Sequence, residues 1–108
     1  MPSIALTAII TPKPGKAERF LELWEKCVKY VDDNEPGVLR YELHRGTKEM
    51  NGGKERYIAL EEYADKETFD LHMRAAPVVA LITAIKEEEL TETDLIMTQK
   101  GPGIKQKL

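Results

Sequence analysis

Two runs of alternating side chains, close together in the sequence, constrain this chain most. Val38 to Arg45 sets Val38, Arg40, Glu42 and His44 against Leu39, Tyr41 and Leu43. Arg56 to Tyr63 sets Ile58 and Leu60 against Tyr57, Ala59, Glu61 and Tyr63. A period of two puts each set on its own face of a strand. The polar stretch between the runs holds Gly46, Asn51, Gly52 and Gly53, so the pair reads as a long-looped hairpin. Just before it, Asn34-Glu35-Pro36-Gly37 reads as a helix end and a tight turn. Proline presets φ there, and Gly37 is expected to supply a positive φ.

The remaining segments must pack on or extend this hairpin. Ser3 to Thr11 alternates Ile4, Leu6, Ala8 and Ile10 with Ala5, Thr7, Ile9 and Thr11. A strand apolar on both faces is expected to be covered on both. Pro12-Lys13-Pro14-Gly15-Lys16 ends it. Ala17 to Val31 places Ala17, Phe20, Leu21, Trp24, Cys27, Val28 and Val31 at helical spacing. Glu22 and Lys26 form an i,i+4 pair in the favoured order. After the hairpin, Asp65 is a helix N-cap with Glu67 in the first turn. That helix carries Phe69, Leu71, His72, Met73 and Ala76. Pro77 breaks it or opens the next helix, Val78 to about Glu88, with Val79, Leu81, Ile82 and Ile85. Leu90 to Gln99 reads as a last strand.

The order strand, helix, strand, strand, helices, strand is the α+β, ferredoxin-like βαββαβ pattern: an antiparallel sheet with helices on one face. Residues 1–100 form one domain and 101–108 a short tail. The bare face of the sheet is expected to carry apolar and aromatic residues, too many to leave wet. A chain of 108 residues has no spare element to cover it. A second copy, packed sheet to sheet about a two-fold axis, is the economical cover.

Charge narrows the partners. The net charge is −3, and nothing here matches the aromatic-and-basic sheet of RNA binders, so no nucleic-acid partner is expected. Cys27 is the one cysteine, which rules out an intramolecular disulfide and a cysteine-rich metal site. His44 and His72 stand far apart with no ligand-spaced carboxylate, so no metal is expected. Met1-Pro2-Ser3-Ile4 lacks the basic and long apolar regions of a signal peptide, and no stretch has the length of a membrane span. The expected location is cytoplasmic, with no membrane partner.

Lys13-Pro14-Gly15-Lys16, Asn34-Glu35-Pro36-Gly37, Tyr41-Glu42-Leu43-His44-Arg45, Glu61-Glu62-Tyr63-Ala64-Asp65 and His72 occur in this order across almost the whole chain. With them the sequence resembles the antibiotic-biosynthesis monooxygenase family of dimeric α/β barrels. The resemblance implies a homodimer with a ligand pocket in each subunit between sheet and helices. Some family members are cofactor-independent oxygenases of polycyclic phenols or quinols, others degrade haem, and others isomerise small sugar-derived signals. The haem-degrading branch carries an asparagine on the first strand, a tryptophan near His72 and a haem-ligating histidine further along. Ile4 to Ile10 has no asparagine, His72 stands in place of the tryptophan, and Val78 to Ile85 has no histidine, so haem degradation is not expected. Many members also carry a histidine after the helix-breaking proline; here Val78 follows Pro77.

His72 is the candidate catalytic residue. On its helix it adjoins Phe69 and Met73, so its ring is expected to face the sheet near Glu61 or a tyrosine. It can serve as a general base near neutral pH or as a structural, hydrogen-bonded histidine. Glu61 either orients His72 or bonds a structural partner. Trp24, Tyr41, Tyr57 and Tyr63 either line a pocket for a flat aromatic ligand or fill the core and dimer interface. Asn34 and Glu35 read as turn residues, not catalytic ones. Cys27 reads as apolar filler.

The expected function is a monooxygenase without cofactor, acting on an aromatic phenol, quinol or anthrone-like molecule. His72 takes the proton, and Trp24, Tyr41, Tyr57, Glu61 and Tyr63 bind the substrate. An isomerase or cyclase using the same base, or a non-catalytic dimeric ligand-binding protein, fits the same residues.

Overall fold

The computed structural model describes residues 3–107. Met1, Pro2 and Leu108, which belong to the expected leaderless start and to the tail, lie outside the described residues. Four strands form one antiparallel sheet: β1 (Ile4–Pro12), β2 (Val38–Arg45), β3 (Tyr57–Tyr63) and β4 (Thr91–Thr98), in the spatial order β2-β3-β1-β4. Three α-helices, α1 (Ala17–Asn34), α2 (Lys66–Arg74) and α3 (Ala76–Glu87), accompany it. This is the expected ferredoxin-like α+β fold. Among the described residues no single helix is long and apolar enough to cross a membrane, and α2 and α3 are bent 64° from one another.

The core lies between the helices and one face of the sheet. Register shows which side chains share that face. Leu6 pairs with Glu61, Ala8 with Ala59 and Ile10 with Tyr57; on the other side of β1 these same three meet Met97, Leu95 and Thr93. Against them α1 buries Phe20, Leu23, Trp24, Cys27 and Val31, while α3 buries Val78, Leu81 and Ala84. Each large apolar side chain so buried stabilises the fold by roughly 1.5–3 kcal/mol. The expected Glu22–Lys26 pair forms at 3.7 Å with both side chains exposed. Exposed pairs contribute about 0–1 kcal/mol, so packing, not surface charge, holds the layers together.

Several expectations change in detail. α1 runs to Asn34, a turn beyond Val31 of its last buried contact, and buries Leu23 rather than Val28, which is exposed. β2 contains a bulge. Val38 pairs with Tyr63 but Arg40 with Glu62, so Val38 and Arg40 do not share a face and Leu39 is exposed. Leu71 and Val79 are also exposed, because α2 and α3 each bury a narrower stripe than their apolar content suggests. Pro77 takes its second role, near the start of α3, after a break at Ala75. Asp65 is the N-cap of α2 and accepts from the Thr68 backbone N–H at 2.8 Å.

Gly37 is where it is for a different reason than expected. The glycines with positive φ are Gly15, Gly52 and Gly53, not Gly37. A Cβ on Gly37 would stand 2.6 Å from Thr68 Oγ1 and 2.9 Å from its Cγ2. The turn needs glycine because it lies directly on α2. The Ala64 backbone N–H closes the contact by donating to the Gly37 carbonyl at 2.9 Å.

The aromatic residues also distribute differently than expected. Tyr41, Tyr57 and Tyr63 all belong to the helix-facing side of the sheet. The opposite face includes Ala5, Thr7, Ile9, Ile58, Leu60 and Ile96, with Arg40, Glu42 and His44 along β2, Glu62 on β3 and Asp94 on β4. It is apolar at its centre and has no aromatic residue.

Candidate active site

A cavity of about 360 Å³ lies between the sheet and the helices. Its floor crosses all four strands, from Tyr41 on β2 through Glu61 and Ala59 on β3 and Ala8 on β1 to Leu95 on β4. The space exists because Ala8 and Ala59, two of the shortest side chains available, face each other across the two central strands. Phe20 and Trp24 wall it from α1; Val78, Leu81, Ile82 and Ile85 wall it from α3. The walls are almost wholly apolar, as small-molecule pockets commonly are, with a few polar groups that can fix orientation.

Those polar groups converge at the β2–β3 side. His72 reaches the wall from the last turn of α2 and is 2% exposed. Its Nδ1 lies 2.8 Å from Glu35 Oε1. Glu35 follows α1 directly, and its backbone N–H donates to the Val31 carbonyl. Its carboxylate is brought to the imidazole by the turn that Gly37 seats against Thr68, one helical turn before His72 on the same side of α2. A carboxylate only accepts, so Nδ1 carries the proton in the neutral ring and Nε2 does not. Glu35 stands outside the cavity and His72 on its wall. The ring therefore turns its Nδ1 edge outward and leaves the Nε2 edge to the cavity.

Tyr41 and Tyr63 flank the imidazole, with ring centroids 5.1 and 5.2 Å from it. Tyr41 also stacks on Trp24 at 4.5 Å with the planes 5° apart, and Phe20 lies beyond Trp24 at 6.2 Å. Burial drives the hydroxyl pKa of Tyr41 far up, and Glu61 adds to it. Tyr63 is shifted the same way by burial and by Glu61. Both are hydrogen-bonding phenols here, not acids. Glu61 lines the cavity and accepts from the Tyr63 hydroxyl. Burial raises its pKa, opposed by that hydrogen bond and by His72, so its neutral form is favoured relative to an ordinary glutamate.

The structure thus gathers His72, Trp24, Tyr41 and Glu61 on one cavity. It does not place Tyr57 or Tyr63 among the lining residues. Tyr57 is buried beneath Phe20 and its hydroxyl donates to Glu55 at 3.0 Å. Tyr63 stands behind, holding Glu61. His72 takes Glu35 as its hydrogen-bond partner, not Glu61. Cys27 is fully buried, its thiol donating to the Pro77 carbonyl at 3.3 Å, and burial pushes its pKa up to about 11. That is an inert thiol, consistent with filler.

Glu35, expected to be only a turn residue, is instead the partner of His72. One signal for it was present. Asp32, Asp33 and Glu35 cluster at the C-terminal end of α1, where the helix dipole disfavours negative charge, and no basic residue sits in that last turn. A locally unfavourable charge is a reason to look for a partner brought from elsewhere in the chain.

Fold and site together define a small α+β domain with an apolar ligand cavity and a carboxylate-oriented histidine on its wall. The chain belongs to the antibiotic biosynthesis monooxygenase family, whose sequence model matches residues 3–84. Solved structures share the fold at low identity. PA3566 from Pseudomonas aeruginosa superposes with a TM-score of 0.76 at 19% identity, over 94% of this chain and 97% of its own. A conserved protein from Methanosarcina mazei gives 0.75 at 22%, over 94% and 95%. SnoaB, a cofactor-independent oxygenase from Streptomyces nogalater, gives 0.75 at 13%, over 98% and 100%. No curated protein matches the sequence.

Proposed function

We propose that the protein is a cofactor-independent monooxygenase of an electron-rich hydroxyarene, a phenol, quinol or anthrone-like molecule. The observation that carries this reading is the His72–Glu35 pair on the wall of an otherwise apolar cavity. His72 Nε2 accepts the substrate's acidic proton, and Glu35 holds the ring in register and stabilises the imidazolium that forms. Trp24 and Tyr41 stack along the substrate ring, with Glu61 and Tyr41 at its oxygen-bearing end. The carbanion or phenolate then reduces O₂, the one co-reactant. For an anthrone-like methylene, a C–O bond forms, the hydroperoxide loses water, and CH₂ plus O₂ become C=O plus H₂O.

The same base serves proton transfer without oxygen. Nothing on the cavity wall is specific to O₂, so an isomerase or cyclase is the second reading. The working unit is a homodimer, supported by the apolar centre of the open sheet face at Ile9, Ile58, Leu60 and Ile96 and by the family. A cytoplasmic location accords with this reading.

The test is oxygen uptake with anthrones, naphthoquinols and catechols, no cofactor added, by the native protein, His72→Ala and His72→Asn. The asparagine keeps a donor for Glu35 and removes the base. Uptake by the native protein that both folded variants lose supports the oxygenase. Substrate proton exchange with no uptake moves the assignment to the isomerase reading. Uptake undiminished in His72→Asn removes His72 as the base.

A further inference from the structure

We propose that the cavity filters ligands by charge and thickness: it admits an uncharged fused ring whose polar groups lie at one end, and turns away the same ring bearing a carboxylate or phosphate. This rests on the cavity being the ligand site, as the proposed function holds, but not on the reaction performed there. Charge comes first. No lysine or arginine is among the lining residues, and the titratable groups there are Tyr41, Glu61 and His72. His72 is already committed to Glu35. An anion could enter only beside that carboxylate, or by first protonating His72 and leaving two carboxylates on one buried imidazolium. The first adds an uncompensated negative charge to an apolar enclosure; the second takes up a proton and buries an extra pair of opposite charges there, and both are costly. A neutral hydroxyl brings its own proton to Nε2 and no charge.

Orientation follows from the strand order. The polar groups sit on β2, β3 and α2; Thr93 and Leu95 on β4 and Ile82 on α3 are exposed lining residues on the far side, where the cavity opens toward β4. Adjacent strands are about 4.8 Å apart, so β4 stands roughly 10 Å from Glu61 on β3 and about 14 Å from Tyr41 on β2. That span holds two or three fused rings, with the oxygen at the deep end and the apolar end at the opening.

Thickness is set at Ala8 and Ala59. They are 3% and 0% exposed and lie opposite one another in the middle of the floor, while Leu6 and Ile10 rise on either side. A flat ring fits over this dip, against the parallel Trp24–Tyr41 stack. A leucine at 59 would fill it. Ala59 and Ala8 are thus specificity-determining positions through their shortness: they underlie the floor, and a longer side chain at either would project into the cavity.

The experiment is isothermal titration calorimetry of the intact protein at neutral pH with 2-naphthol, 2-naphthoate and 2-naphthyl phosphate. Trp24, the single tryptophan, gives an independent quenching signal. The expectation is that 2-naphthol binds at least tenfold tighter than either anion. Ala59→Leu should weaken 2-naphthol at least tenfold with unchanged circular dichroism and melting. Ala8→Val serves where the leucine protein does not fold. Equal or tighter binding of the anions overturns the charge filter. Unchanged 2-naphthol affinity in a folded Ala59→Leu or Ala8→Val protein overturns the thickness filter. Failure of all three compounds to bind overturns both. Selective 2-naphthol binding with no turnover of any hydroxyarene would sink the oxygenase reading and leave the filter standing.

Discussion

The two faces of the sheet are made of different materials. The helix-facing side carries the strand tyrosines, one glutamate and the paired alanines that open the cavity. The other side carries mostly small and aliphatic side chains at its centre, with Ile58 42% and Ile96 47% exposed, a charged row of Arg40, Glu42 and His44 along β2, and Glu62 and Asp94 on β3 and β4. Large rings need three-dimensional enclosure, which only helices tilted over a sheet provide here. Short side chains make a flat surface, the kind that packs on another sheet about 10 Å away. The charged row marks a margin of that surface: Glu42 bonds Arg40 at 3.0 Å and His44 at 2.9 Å, and these partners hold its pKa below the usual carboxylate value. One face thus encloses a cavity, and the other presents an open surface with an apolar centre.

A crossed pair of substitutions tests that division. His72→Asn on the helix-facing side should lower turnover by about 10²–10⁴-fold, the usual contribution of a positioned general base. Its oligomeric state, followed by analytical ultracentrifugation, should not change. Ile58→Asp on the other side should convert a native dimer to a folded monomer, with 2-naphthol affinity held within a few-fold. A native protein that sediments as a monomer at micromolar concentration removes the role given to the open face. Loss of the cavity in a folded Ile58→Asp protein would show that the two faces are not independent.

The fold was legible because alternation and helical spacing are strong local signals, and Ser3–Thr11, Ala17–Val31 and Arg56–Tyr63 carry them cleanly. The placement of the strand tyrosines was less legible. A period of two says that Tyr57, Ala59, Glu61 and Tyr63 share a face, not which face the helices cover. Leu39 went astray because a bulge shifts β2 by one residue, and nothing in Val38-Leu39-Arg40 announces it. In the site, His72 was visible as a lone helix histidine among apolar residues. Its partner was not, because Glu35 is distant in sequence and the contact depends on how the turn seats on α2. Gly37 illustrates the same limit: a glycine in a turn suggests positive φ, whereas here the reason is a side chain, Thr68, brought from another element.

That seating is itself testable. Gly37→Ala drives a methyl into Thr68 and should cost about 1–3 kcal/mol, the range for overpacking. Thr68→Ala removes the two nearest atoms, so the double variant should regain most of the loss. Urea unfolding of the four proteins gives the coupling directly. Simple addition of the two single effects would mean that the turn is not held by this contact. The Glu35–His72 contact should loosen along with it, so turnover in Gly37→Ala should fall more than its stability alone explains.

The smallest expected effect concerns the second carboxyl group of the helix-facing side. Glu35 has His72 as partner; Glu61 has a tyrosine hydroxyl and an apolar cavity, and burial raises its pKa above the unfolded value. In the pH range between those two values the folded state holds a proton that the unfolded state has lost. Stability therefore falls as pH rises from the ordinary glutamate range through the folded-state pKa, and the penalty is fully present above it. Glu61→Gln keeps an acceptor for Tyr63 and cannot ionise. It should be more stable than the native protein at neutral pH, with the advantage vanishing below the unfolded glutamate pKa, as read by urea midpoints at a series of pH values. An advantage that grows on acidification would reverse the sign, and would make Glu61 a stabilised carboxylate.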